Sequence, residues 1–159
     1  MPEIFIGSDH RGFELKNQLV AVLSGGSTDD ILRAPDGYAV SDLGPFTYDE
    51  SDDYNDAAIA VARAVSANKG SFGILICGSG NGVCIQANRF KGIRAIAPTL
   101  PEIAKLGREH NDANVLCLSA DFLEYNKVAE LANIFLNTKF SGEERHIRRN
   151  HRLDEIEEV

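Results

Sequence analysis

The stretch FGILIC (Phe72–Cys77), followed at once by GSGNG (78–82), constrains this chain more than any other feature. Six nearly continuous apolar residues have the length of a strand and the composition of one buried on both faces, as in a parallel sheet. The glycines then predict a tight turn into a helix over 83–89. Elements of both kinds alternate on either side. A strand is predicted at Glu3–Ser8, a turn over 9–12 and a helix over Phe13–Leu23, where Phe13, Leu15, Leu19, Val20 and Leu23 recur mostly at three- and four-residue steps. A glycine-rich polar loop (24–37) leads to a second strand (38–43). A loop with four Asp and one Glu (44–56) follows, then an Ala-rich helix over 57–67 stopped by Gly70. Beyond the central run come a strand at 94–97, a helix at 101–109, a strand at 114–118, a helix at Tyr125–Asn137 and a highly charged helix over about 143–158. Such alternation predicts an α/β fold, a parallel sheet of about five strands between layers of helices. Ligands of such sheets sit at the carboxyl ends of the strands, so the informative residues should follow strands.

Composition limits the partners. A chain of 159 residues, 43% hydrophobic and 25% charged, fits one globular domain over 1–159. Sixteen Lys and Arg against 24 Asp and Glu leave a net charge of −8, which argues against nucleic acid or an anionic membrane as partner. No apolar run approaches the length of a membrane span, and Asp9, His10, Arg11, Glu14 and Lys16 interrupt the place of a secretory signal. Cys77, Cys84 and Cys117 are an odd number in apolar surroundings, without ligand-like spacing. The expectation is a cytoplasmic protein without metal or disulfides.

Four groups of residues could carry chemistry. The backbone of Gly78, Ser79, Gly80, Asn81 and Gly82 at a helix start can cradle an anion; the alternative is a turn that merely needs positive φ angles. The spacing is neither that of a dinucleotide fingerprint nor of a nucleotide P-loop. Cys77, between strand and loop, would hold its thiolate against the positive end of a helix dipole, although buried cysteines are more often inert small hydrophobes. Phosphate-cleaving cysteine enzymes need an arginine six residues on, and here that residue is Val83. His10 beside Asp9, and His110 beside Asn111, are candidate proton carriers. Arg145 and Arg149, four apart, could grip one phosphate; on spacing alone, a solvated face paired with neighbouring acids is the better reading. Together, a thiolate base, a histidine acid, an anion cradle and an arginine clamp suit proton abstraction beside the carbonyl of a phosphorylated sugar, with no cofactor.

Six ordered blocks carry a resemblance: GSDHRGF (7–13), GILICGSGNG (73–82), ANR (87–89), GIRA (92–95), REHNDANV (108–115) and RHIRR (145–149). From Ile4 to about Leu153 the chain resembles type B ribose-5-phosphate isomerases of the ribose/galactose isomerase family. The resemblance implies a Rossmann-like three-layer α/β/α sandwich. It also implies a homodimer, or a tetramer, with active sites shared between subunits and the C-terminal helix packed on the partner. It makes Cys77 the base between carbons 1 and 2, and His110 the residue that opens the furanose ring. Asp9 and His10 would contact the sugar, Gly78–Gly82 would hold the enediolate, Asn111 would help bind substrate, and Arg145 and Arg149 would hold the phosphate. Some relatives place a glutamate base at the position of Val83, which cannot take a proton.

Three departures stand out. Asp121 occupies a position where many members carry arginine. Asp53-Tyr54-Asn55 replaces the usual Asp-Tyr-Pro, and residues 24–53 include an acidic insertion. Asp121 and the long 24–53 region motivate one rival reading, an isomerase of a tetrose or hexose phosphate. The other rival is a protein that binds sugar phosphate without turning it over.

Overall fold

The computed structural model describes residues 1–155. Its five strands are β1 (Glu3–Ser8), β2 (Ala39–Asp42), β3 (Phe72–Cys77), β4 (Ala95–Ile96) and β5 (Val115–Ser119), interleaved with six α-helices. The helices are α1 (Phe13–Leu23), α2 (Tyr54–Ala67), α3 (Asn81–Ala87), α4 (Pro101–Asn111), α5 (Tyr125–Asn137) and α6 (Glu144–Asp154). All strand pairs are parallel, in the order β2-β1-β3-β5-β4. The two-residue β4 forms one edge and the four-residue β2 the other.

Strand alternation divides the core into two layers. Ile4, Ile6, Ile74, Ile76, Leu116 and Leu118 point to the side covered by α1, α4 and α5. Phe5, Leu75, Cys77, Val115 and Cys117 point to the side covered by α2 and α3. Every residue of β3 is buried, as its apolar run requires. The three-layer sandwich expected from the sequence is the observed architecture.

Several boundaries differ from the sequence expectation. Helix α2 starts at Tyr54 rather than 57, α3 at Asn81 rather than 83, and α4 runs to Asn111 rather than 109. Helix α6 ends at Asp154, where Glu155 turns extended (φ −74°, ψ 115°), so it is shorter than the predicted 143–158; residues 156–158 of that span lie outside the described residues.

Close backbone approach fixes the β1–α1 corner. A Cβ placed on Gly12 would lie 2.6 Å from Ile76 Cγ2 and 2.9 Å from the Ile76 carbonyl oxygen, so only glycine lets this turn rest on β3. Gly12→Ala is expected to destabilise the fold by about 2 kcal/mol through overpacking, read as a lower midpoint in urea denaturation. An unchanged midpoint would show that the turn moves freely away from β3.

Candidate active site

The strand order reverses direction between β1 and β3, because the chain steps from β1 outward to β2 and then back across to β3. A crevice opens at the carboxyl ends of two such strands, and there the loops after β1, β2, β3 and β5 converge. Asp9 caps the turn after β1: its Oδ1 accepts the amide hydrogens of Arg11 (3.0 Å) and Gly12 (3.2 Å). Burial pushes its carboxyl above the usual range, partly offset by those amides.

His10 is gripped twice by one oxygen. Asp52 Oδ1 accepts both the His10 amide (2.9 Å) and Nδ1 (2.7 Å). A carboxylate can only accept here, so Nδ1 carries the proton and Nε2 is the nitrogen left for other partners. The Asp52 carboxylate raises the imidazole above its ordinary value of 6.5. A raised histidine stabilises the fold in its charged form: the contribution is complete below the ordinary value and is lost as pH rises through the raised one. Asp52→Asn is therefore expected to lower the thermal midpoint at about pH 5.5 more than at about pH 8.5. An equal loss at both would sever the pair from any titration.

Cys77 closes β3 and is 4% exposed. Its Sγ accepts the Gly80 amide at 3.2 Å. Gly80 takes φ 82°, a left-handed conformation suited to glycine, and α3 starts at the next residue. Ser79 Oγ accepts the Asn81 amide at 3.2 Å, and Gly82 lies against the Tyr54 ring, which a Cβ there would meet at 2.7 Å. The first-turn amides of a helix have no intrahelical acceptor, so loop and helix start present donors beside the sulfur. The other two cysteines sit in the packed layer: complete burial pushes the Cys117 thiol well above its ordinary value, and Cys84 Sγ meets the Ala95 carbonyl at 3.4 Å.

Over this loop lies a pair the sequence reading did not anticipate. Arg11 Nε donates to Asp121 Oδ2 at 2.8 Å, and Nη2 stands 2.6 Å from the same oxygen in an ion pair. With His10, Tyr48, Glu50 and Ser51, the pair lines an open cleft of about 700 Å³. Asp52 and Arg11 could have been singled out by one rule, that loops following parallel strands meet at one edge of the sheet. Their pairings join residues 42 and 110 positions apart, distances that no local spacing reports.

The remaining predicted residues are elsewhere. Helix α4 runs back against the strand direction, from the carboxyl end of β4 to the start of β5, and carries His110 and Asn111 to the opposite rim of the sheet, the far edge formed by the amino ends of the strands. Cys77 pairs with Ser119, the last residue of β5, whereas His110 precedes Val115, its first. The strand from Val115 to Ser119 alone spans about 13 Å. At that far edge the His110 ring lies over His146, centroids 4.2 Å apart. Asn150 donates to the His110 carbonyl at 3.0 Å, and Ser141 Oγ meets His146 Nδ1 at 2.7 Å. Burial, reinforced by His110, lowers the His146 imidazole. His146 and Asn150 are the buried side of α6, while Arg145 and Arg149 are exposed. Arg145 donates to Glu143 at 2.8 Å and Arg148 to Glu144 at 2.9 Å, the surface pairing that spacing alone favoured.

Within one chain, then, Asp9, His10, Cys77 and residues 78–82 come together, and His110, Asn111, Arg145 and Arg149 gather at the other edge. Among the described residues no cluster of His, Cys, Asp and Glu is arranged to hold a metal ion, and no helix is long and apolar enough to cross a membrane.

Comparison with known proteins extends over nearly the whole chain. The profile of the Ribose/Galactose Isomerase family matches residues 4–153. A probable ribose-5-phosphate isomerase B of Mycoplasma pneumoniae is 42% identical, over 92% of this chain and 89% of its own. The ribose-5-phosphate isomerase B of Escherichia coli is 37% identical over 99% and 98%. The crystal structure of the Mycoplasma genitalium ribose-5-phosphate isomerase B, with ribulose 5-phosphate bound, superposes with a TM-score of 0.85 at 39% identity, covering 96% of this chain and 93% of that one. A likeness of this extent, in sequence and in fold, makes the chain a member of the ribose/galactose isomerase family.

Proposed function

We propose that this protein interconverts ribose 5-phosphate and ribulose 5-phosphate by moving a proton between carbons 1 and 2, without a cofactor. The observation that carries the reading is the position of Cys77 Sγ at the end of β3, against the Gly80 amide and the start of α3. That position suits a base whose negative product lies beside backbone donors.

The Cys77 thiolate takes the proton from carbon 2 of the open-chain aldose. The C–H electrons form the C1–C2 double bond, and the carbonyl oxygen on carbon 1 becomes the enediolate oxygen. Amides of residues 78–82 that are not already bonded to Cys77 Sγ or Ser79 Oγ hold that oxygen. The proton on the carbon 2 hydroxyl moves to the oxygen of carbon 1, and Cys77 returns its own proton to carbon 1, leaving the ketone at carbon 2. Asp9 and His10 contact the sugar hydroxyls.

Ring opening and phosphate binding need a second copy of the chain. His110, Asn111, Arg145 and Arg149 lie at the edge opposite Cys77, so they reach a substrate at Cys77 only from another subunit. We therefore read the working form as a homodimer in which the far edge of each chain, with α6, covers the near edge of the other. Exposed apolar side chains support such a contact: Leu100, Ile103 and Leu106 on or beside α4, Ile85 on α3 and Phe122 after β5. The partner subunit's His110 would open the furanose ring, and its Arg145 and Arg149, one turn apart, would hold the phosphate.

The test is turnover of ribose 5-phosphate by purified protein in the presence of a metal chelator, followed by the appearance of ribulose 5-phosphate. Conversion is expected. Folded protein that converts a tetrose or hexose phosphate instead would keep the chemistry and replace the substrate. Binding without exchange of the carbon 2 proton with solvent would reduce the protein to a sugar-phosphate binder.

A further inference from the structure

Arg11 and Asp121 meet over the first residue of the glycine loop. A Cβ built on Gly78 would stand 2.9 Å from Asp121 Oδ2 and 3.1 Å from Arg11 Nε. Both residues are held by their backbones. Arg11 sits in the turn capped by Asp9, and the Asp121 amide donates to the Gly78 carbonyl at 3.1 Å, beside the Ser119 hydroxyl that donates to the same oxygen at 2.6 Å. The guanidinium places two of its nitrogens on a single carboxylate oxygen. Nη1 takes no part in that pairing.

The pair is not sealed. Its side chains are 54% and 32% exposed and line the open cleft, so solvent screens the attraction and a stronger anion can compete for the guanidinium. A phosphate group is such an anion: it carries up to two charges and offers oxygens in the geometry that a guanidinium fork matches. The rest of the near wall is short of free positive charge, since His10 is engaged with Asp52, and Glu50 adds a carboxylate.

We propose that Arg11 is a substrate-binding residue of this cleft, and that Asp121 sets the affinity by competing with the anionic oxygens of the sugar phosphate for its guanidinium. The inference rests on the sugar-phosphate isomerase reading above and adds to it two residues outside the proton path. In the free protein Asp121 holds Arg11 against Gly78. When substrate arrives, one negative group replaces another as the partner of the guanidinium, and the displaced carboxylate, still beside the anion, weakens the complex.

Arg11→Ala, Arg11→Lys, Asp121→Asn and the double variant R11A/D121N separate competition from simple support. Steady-state turnover of ribose 5-phosphate is measured on each, together with calorimetric titration by ribose 5-phosphate and by inorganic phosphate. R11A should raise KM and Kd about tenfold, and R11K should recover part of the loss. D121N should lower KM and Kd about threefold, with the change falling on KM rather than kcat. R11A/D121N should bind more tightly than R11A, because a lone carboxylate facing the anion has been removed. Unchanged Kd in R11A would overturn the role of Arg11. A D121N protein that binds more weakly than wild type would make Asp121 a support for Arg11 and overturn the competition. Wild-type protein that binds ribose 5-phosphate but does not convert it would defeat the isomerase reading alone, and the order of Kd values across the variants would still decide this one.

Discussion

Cys77→Ala is expected to lose ribose 5-phosphate turnover by about 10³-fold while still binding the sugar phosphate. The side chain is small, so its removal leaves only a slight void in the layer beneath α2 and α3, costing about 1 kcal/mol. The fold should survive to be assayed. What disappears is the thiol at the end of β3, and its neighbours in that layer do not replace it: Val83 cannot take a proton, and complete burial pushes the Cys117 thiol well above its ordinary value. Two readings separate the role from mere packing, the rate of ketose formation and the exchange of the carbon 2 proton with deuterated solvent. Both should fall together. Turnover within a few-fold of wild type would remove Cys77 from the mechanism and return it to the hydrophobic core.

A mixture of two inactive proteins should regain activity. His110→Ala is expected to reduce turnover of the cyclic sugar by about 100-fold, and C77A by about 10³-fold. Unfolded and refolded together in equal amounts, the two variants should form half of their dimers from unlike chains. In each mixed dimer one site carries both substitutions and the other carries neither. About a quarter of wild-type activity is then expected, far above either parent. The prediction follows from geometry: α4 carries His110 away from Cys77 to the start of β5, so the two cannot meet on one chain. Failure of the mixture to regain activity, with mixed dimers demonstrated by mass spectrometry, would exclude the shared site.

The sequence revealed the core of the fold because burial on two faces leaves a continuous apolar run. FGILIC could be little other than a central strand, and it is. Helix starts were harder to read. Tyr54, Asn55 and Asp56 belong to the first turn of α2, where donors face solvent and side chains are polar, so apolar periodicity begins only at Ala57. The same holds for Asn81 and Gly82 before Val83. Candidate site residues next to strands, Asp9, His10 and Cys77, are visible from position in the element order. Their partners are not. Asp52 reads as one acid among several in a loop, and its hold on His10 exists only once β2 is laid beside β1. Asp121, which stands out in the sequence as a departure from the family's pattern, acquires a partner only when the structure sets Arg11 beside it.

The brevity of the outer strands has a consequence for how chains can associate. A sheet edge with unpaired amides and carbonyls is a template on which another strand can add, and its adhesive power grows with its length. Here the borders offer only Ala95 and Ile96 on one side and four residues on the other. Neither gives a foreign strand more than a few backbone hydrogen bonds. Copies of this chain are thereby steered away from growing into open-ended ribbons, and any contact between them is left to helix surfaces, where side-chain shape and charge can limit assembly to a closed, countable number of subunits.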